Sequence, residues 1–425
     1  VQVPAIRVYM TILQTMFDKT ILDNGVRVVT ETIPSVRSVS IGAWIHTGSR
    51  DERAVESGAC HFIEHMVFKG TTKRRMHHIA QRMENVGGYL NAFTSKEYTC
   101  FYARALDEHL PRAVDTVCDL ILTPVFPERE LEREKDVVIE EMKMYDDTPE
   151  DRVFDILDET LFPDHPMGRP VIGSEETVRS FSRSTLMDFM ALTYTHDRIV
   201  IAAAGNVSHS KLVQHVEKAF RDSKRTPARR HIGSDPIPDA PPGFVTEKRP
   251  IQQAHLVIGR RAYSVHDERR IALSILNTLL GGGMSSRLNQ NIRERYGYCY
   301  NIYSFINMHS DTGDFGIYMG TDTQRVDHAR ELMFRELDKL VQRRVSGRML
   351  ERARSQVKGG IMLGLESMGS RMMRIGRQEL YYGTYFSLDE ILSMIDSVTL
   401  DDVLGVAQDL FRPSSFSTVR ILPTS

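Results

Sequence analysis

This chain is short of cysteine, of long apolar runs and of net charge, and each shortage excludes something. Its four cysteines, Cys60, Cys100, Cys118 and Cys299, form no C-x-x-C pair. They make no disulfide framework and suggest a reducing compartment or simply buried thiols. A formal net charge of -2 over 425 residues gives no reason to expect nucleic acid or an anionic membrane as partner. No apolar run approaches the ~18 residues of a membrane span. Residues Val1 to Gln14 lack a basic cluster followed by an apolar core and a small-residue cleavage site, so they do not read as a signal peptide. The expected location is the cytoplasm of a bacterium. Because the chain begins with Val, its native start is expected to be missing or processed, with the core beginning near Asp18.

What is present is an ordinary globular profile, 41% hydrophobic and 26% charged. The length exceeds a usual single core, so two or more domains are expected. One stretch carries chemistry: Cys60-His61-Phe62-Ile63-Glu64-His65-Met66. Residues i and i+4 share a helix face, so His61 and His65 can point at one ion. Glu64 lies on the adjacent edge of that face, where a base must stand to take a proton from water activated by a metal. H-x-x-E-H is the inverted form of the zincin motif. Three fixed positions are weak by themselves, since paired histidines on an apolar helix are more often hydrogen-bonded core residues.

A catalytic zinc usually takes three protein ligands. The segment Glu130 to Tyr145 reads as a helix, with no Gly or Pro inside and Pro127 just before it. Glu134 and Glu141 lie seven apart on one of its faces, and Glu140 points about 100° away from Glu141. Either Glu134 or Glu141 would complete a His2Glu site, and periodicity does not choose between them.

The chain also repeats itself. A basic and then proline-rich stretch from Arg221 through Pro242 reads as a linker. It divides the chain into 1–225, a linker 226–243, and 244–425. Asp51-Glu52-Arg53 recurs as Asp267-Glu268-Arg269, 216 positions on. His61, Glu64 and His65 then fall on Asn277, Leu280 and Gly281. Leu131-Glu132-Arg133 recurs as Leu350-Glu351-Arg352, 219 positions on, which puts Glu134 and Glu141 on Ala353 and Gly360. Every residue of the expected chemistry is missing from the second copy. A residue that only maintains the fold should survive in both.

Strand-like patterns cover 26–32, 39–45, 92–105 and 199–204, with helical ones at 51–69, 75–86, 107–122, 128–145 and 184–193. The second half offers strands at 253–262, 298–308 and 313–320. Its helices are expected at 267–280, 284–294, 324–343, 347–365 and 398–411. The fold class is therefore α+β, with helices layered on mostly antiparallel sheets in two homologous domains.

From Leu22 to Phe411 the chain resembles the pitrilysin-type (M16) zinc metallopeptidases. The likeness is greatest to the subgroup with the mitochondrial processing peptidase β subunit and short bacterial peptidases. It is carried by Leu22-Asp23-Asn24-Gly25, by Gly58 through Thr71 around the two histidines, and by Gly87-Gly88-Tyr89-Leu90-Asn91-Ala92-Phe93-Thr94. The resemblance implies a glutamate ligand 76 positions after the second histidine, which is Glu141, and an acidic helper seven positions earlier, which is Glu134. It implies a substrate-binding edge strand at Asn91, Ala92, Phe93 and Thr94, where an extended peptide adds by backbone hydrogen bonds. It implies an Arg and a Tyr seven apart in the second half, Arg293 and Tyr300, reaching substrate near the metal. It also implies two domains closing like a clamshell around a cavity. Gly281-Gly282-Gly283 is no phosphate loop, since no Gly-Lys-Ser/Thr follows. It is also too short to be the long glycine loop of the processing peptidase's noncatalytic subunit. One departure is Cys60, where a small Ala or Ser is usual; packing is its expected role, although a thiolate there would compete for zinc.

The expected function is a zinc endopeptidase with one Zn2+ per chain, held by His61, His65 and Glu141, with Glu64 as general base. Its expected substrates are peptides or unfolded, presequence-like segments. A homodimer is expected, with a heterodimer as the alternative. The rival reading is a noncatalytic core or regulatory subunit of the same superfamily.

Overall fold

The computed structural model describes residues 16–223 and 236–424. The expected processed start before Asp18 and most of the expected linker, 226–235, lie outside the described residues. Residues 236–243 run without regular structure into the second half.

The first half contains β1 (Met16–Ile21), β2 (Arg27–Thr32), β3 (Ser38–Ile45), α1 (Ala59–Val67), α2 (Met76–Glu84), β4 (Tyr89–Thr94) and β5 (Thr99–Leu106). It continues with α3 (Leu110–Leu122), α4 (Glu128–Asp146), α5 (Pro149–Leu161), α6 (Glu175–Ser180), α7 (Arg183–Thr193), β6 (Ile199–Gly205) and α8 (His209–Phe220). The second half contains β7 (Phe244–Arg249), β8 (Ala254–Ala262), α9 (Arg270–Gly281), β9 (Cys299–Met308), β10 (Gly313–Thr321) and α10 (Val326–Gln342). After these come α11 (Gly347–Gly364), α12 (Met368–Tyr382), α13 (Leu388–Ser397), α14 (Leu400–Leu410) and β11 (Ser417–Pro423).

The strand orders are β1-β2-β6-β3-β5-β4 and β7-β11-β8-β10-β9. Apart from β1, these are one order used twice. Among the described residues each sheet has one parallel pair, β2 with β6 and β7 with β11. The duplication legible as two three-residue echoes is thus a duplication of topology. The fold is α+β in two halves, with helices layered on mostly antiparallel sheets. Strand β6, Ile-Val-Ile-Ala-Ala-Ala-Gly, is buried throughout, which is what an uninterrupted apolar run gives when both faces of a sheet are covered.

The halves exchange helices. Along α5, Val153, Ile156, Leu157 and Leu161 leave the first half and pack on Val257, Val419 and Ile421 of the second sheet. Along α12, Met372, Ile375 and Leu380 of the second half pack on Val29, Trp44, Val200 and Ala202 of the first. Each such side chain removed from water contributes on the order of 2 kcal/mol. Buried Glu31 on β2 draws Arg371 and Arg374 of α12 to itself at 2.7 and 3.1 Å, and at Gly376 a Cβ would stand 2.4 Å from the Trp44 ring. A cut of the sequence at the linker therefore does not separate two independent cores.

Three expected elements differ. The helix expected over 284–294 opens with turns through Ser286 and then forms a π-helix over Asn289–Glu294. The helix expected over 51–69 starts only at Ala59, preceded by two single turns at Ser49–Asp51 and Ala54–Glu56. The cause is Glu52, which turns inward and takes the N–H groups of Gly58 and Cys60 at 2.8 and 2.7 Å. It caps α1 in place of the missing side-chain cap at Gly58. Gly58 itself sits at φ +90°, and a Cβ there would meet the backbone of Ile172 and Gly173. The single strand expected over 92–105 is a hairpin, turned by the polar residues Ser95 to Tyr98.

Candidate metal and catalytic site

The site lies where α1 crosses α4, beside the edge strand β4. His61 and His65 stand one turn apart on α1, with ring centroids 4.7 Å from each other. Their Nε2 atoms turn to the two oxygens of Glu141, at 3.8 Å from His61 and 3.5 Å from His65. One donor atom from each of the three residues lies within 4.8 Å of the others. Glu134, two turns earlier on α4, is occupied differently. Its Oε1 accepts from His65 Nδ1 at 2.9 Å, and its Oε2 accepts from Lys69 Nζ at 2.6 Å. Of the two carboxylates that periodicity leaves equivalent, Glu141 faces both Nε2 atoms and Glu134 backs one ring. Glu140 points away and pairs with Lys143.

The electrostatics follow from the half-buried setting. Burial, helped by neighbouring His65, pushes the His61 imidazole down to about 3, so it is neutral and its lone pair is available. Burial would lower His65 as well. The hydrogen bond to Glu134 and the charges of Glu134, Glu141 and Glu64 outweigh it and raise that ring. Glu134 is pushed up by burial, but the bonds from His65 and Lys69 bring it below the usual carboxylate range.

Glu64 lies beside this cluster. Burial raises its carboxyl, and the hydrogen bond from Thr94 and the nearby His65 pull partly back. Thr94 Oγ donates to Glu64 Oε2 at 2.6 Å, so the other oxygen is the one left to take a proton. Substituting Thr94→Val should lower kcat about tenfold or more, since a hydrogen bond to a charged group contributes about 1.5–3 kcal/mol, and should leave metal affinity unchanged. Steady-state peptide cleavage beside a metal titration checks both halves of that statement.

The other expected residues divide. Among the described residues strand β4 is an edge strand, paired with β5 alone, so the outer edge of Asn91, Ala92, Phe93 and Thr94 has no strand partner, and on that strand the Ala92 N–H is held by Asn91 Oδ1 at 2.8 Å. Their side chains are partly committed: Phe93 meets Trp44 edge-on at 5.9 Å, and Asn91 bonds the Tyr89 hydroxyl. Arg293 and Tyr300 form a stacked pair, with the guanidinium 5.6 Å from the ring centroid. Tyr300 is 86% exposed. Among the described residues, neither makes a hydrogen bond or ion pair with His61, His65, Glu64 or Glu141. Cys60 is buried, with its thiol hydrogen-bonded toward Glu52 and pushed well up by burial, so it turns away from the metal-ligand set.

The sequence reading missed Lys69 and the service of Thr94 to Glu64. Lys69 had a signal, since it follows His65 by four residues. Thr94 had none, because its contact joins a strand to a helix.

The donor set fits zinc: two imidazole nitrogens and one carboxylate, with the far side of one imidazole already fixed by a second carboxylate.

Residues 27–175 match the sequence profile of Insulinase (Peptidase family M16), and residues 180–357 that of the Peptidase M16 inactive domain. An uncharacterized zinc protease of Streptomyces coelicolor is 42% identical over 93% of this chain and 88% of its own length. One of Bacillus subtilis is 42% identical over 91% of this chain and 94% of its own. Among solved structures, a protease from Helicobacter pylori superposes with a TM-score of 0.90 at 20% identity, covering 96% of this chain and all of that one. A putative M16-like peptidase from Alicyclobacillus acidocaldarius gives 0.86 at 19% identity, covering 97% and 99%. These two likenesses speak for the fold alone.

Proposed function

The chain belongs to the M16 peptidase family, and from that premise we propose that it is a zinc-dependent endopeptidase with one metal site in its first half. The observation that carries the reading is the convergence of His61 Nε2, His65 Nε2 and the Glu141 carboxylate. These three residues would hold the ion. Bound there, zinc would supply Lewis acidity, polarising a scissile carbonyl and acidifying water.

The rest is the work of this chain's own side chains. Glu64, with Oε2 held by Thr94, takes a proton on its free oxygen as general base and returns it to the leaving amine. The open edge of β4 lays an extended peptide alongside the site by backbone pairing. That mode of binding asks for unfolded or extended substrates. The second half lacks the three ligands, the base and the helper carboxylate at its matching positions, Asn277, Gly281 and Gly360, Leu280, and Ala353. It is assigned to substrate, with the half-buried Arg293 and the exposed Tyr300 as its contact pair.

The test is metal content of the purified full chain by mass spectrometry, beside His65→Ala. About one zinc per chain, lost in the variant, is expected from a His2Glu site. No zinc after reconstitution would overturn the enzyme reading in favour of a noncatalytic subunit.

A further inference from the structure

The stripe of α1 that carries the two histidines continues one turn further. Lys69 follows His65 by four residues, and the chain still turns helically there, with the Lys69 N–H bonded to Met66 O at 3.1 Å. His61, His65 and Lys69 therefore stand in line at i, i+4 and i+8. Opposite them Glu141 and Glu134 stand in line on α4. The two rows run in opposite senses, and each carboxylate bridges two successive bases. Glu141 lies between His61 and His65, and Glu134 lies between His65 and Lys69. A metal would be held only at the first of these bridges, by His61, His65 and Glu141. At the second, the cation is supplied permanently by the protein.

We propose that Lys69 is a positioning residue of the metal site: acting through Glu134, it fixes His65 in the tautomer that carries its proton on Nδ1 and turns the Nε2 lone pair to Glu141. The inference rests on His61, His65 and Glu141 being the metal ligands. Its physical content is geometric. A carboxylate held by one bond can swing about its side-chain torsions. Glu134 is held at both oxygens by charge-assisted bonds, which fixes its plane and therefore the ring it bonds.

A plain clamp between two helices, or a lysine favoured by a helix C-terminus, would leave the same ion pair. The second copy separates these readings. There α9 and α11 pack together as α1 and α4 do, so a clamp would be equally useful. Yet the position 216 after Lys69 is Ser285, and the position 219 after Glu134 is Ala353. Ser285 instead accepts a neutral hydrogen bond from Gln356. Lysine and carboxylate are absent together, where the ligands are absent too.

The experiment is a cycle on the full-length protein. Zinc affinity is measured by competition with a chromophoric chelator for Lys69→Met and Lys69→Arg, each in the parent and in the Glu134→Gln background. Thermal melts show that each variant is folded. Lys69→Met should weaken zinc about 10–100-fold, the range found for partners that orient a ligand. Lys69→Arg should restore most of it, and Lys69→Met should add nothing once Glu134 is Gln. Parent-like zinc affinity in folded Lys69→Met overturns the inference, and so does an equal loss in both backgrounds. If Lys69→Met does not fold, Lys69→Gln takes its place in the cycle, and parent-like affinity there overturns the inference equally. Zinc binding to the parent keeps the two claims apart. A parent that binds no zinc removes the metal reading itself, whereas a zinc-binding parent with indifferent Lys69 variants removes only this one.

Discussion

Glu64→Gln is expected to hold as much zinc as the parent and to hydrolyse peptides about 10²–10⁴-fold more slowly, the usual contribution of a positioned general base. The substitution keeps shape and the bond from Thr94, because an amide oxygen still accepts. It removes only the capacity to take a proton. The ligand rings are untouched, since Glu64 bonds Thr94 and neither histidine. Metal stoichiometry and single-turnover cleavage measured on one preparation read both effects. Parent-like cleavage by zinc-loaded Glu64→Gln would remove Glu64 from the mechanism. Lost zinc would mean that Glu64 is a ligand and that the base lies elsewhere.

The second large effect is on stability. Glu97, in the β4–β5 turn, is 5% exposed and joins the halves. It accepts from Arg50 at 2.8 Å, from the Ser310 N–H at 3.0 Å and hydroxyl at 2.5 Å, and from the Tyr381 hydroxyl at 2.9 Å. His309 lies 3.7 Å away, and Arg50 also reaches Asp311. His309 and Ser310 belong to the β9–β10 turn and Tyr381 to α12, so two elements of the second half meet one carboxylate of the first. Glu97→Ala should cost about 3–5 kcal/mol, as expected when one partner of a buried ion pair is removed. In urea unfolding the midpoint should fall with little change in slope. A loss under 1 kcal/mol would show that the joint holds by apolar packing alone.

The same group fixes a pH dependence. Burial raises Glu97, but His309, Ser310 and Arg50 together pull it down to about 2 from an ordinary 4.5. A depressed carboxyl contributes stability that is fully present above the unfolded value and is lost as pH falls through the folded one. The parent should therefore lose on the order of 3 kcal/mol between about pH 4.5 and pH 2 that Glu97→Gln does not lose. Parallel acid titrations of the two proteins by circular dichroism would refute this if their midpoints moved together.

Much of the site was legible because its rules are local. The i, i+4 spacing of His61 and His65 and the seven-residue spacing of Glu134 and Glu141 are helix periodicities, and a sequence prints them directly. The choice between the two glutamates was not local, since both share a face of α4 and only the crossing angle with α1 decides which reaches Nε2. Thr94 and Glu97 were illegible for the same reason: each bonds an element distant in sequence. Helix α5 carries an apolar stripe at 153, 156, 157 and 161, although no helix is expected there from the sequence. Helix α12 does not, because Arg371 and Arg374 turn inward to a buried Glu31, and two glycines interrupt its pattern.

By itself the sequence determined the ligand types, the duplication and the asymmetry between its copies, because side-chain chemistry and periodic spacing are properties of the chain alone. Only the tertiary structure decided that Glu141 faces both imidazoles, that Lys69 closes the row behind Glu134, and that each half covers the other's sheet with a helix. Those outcomes depend on how helices cross and which faces meet, and burial over the whole molecule sets both at once.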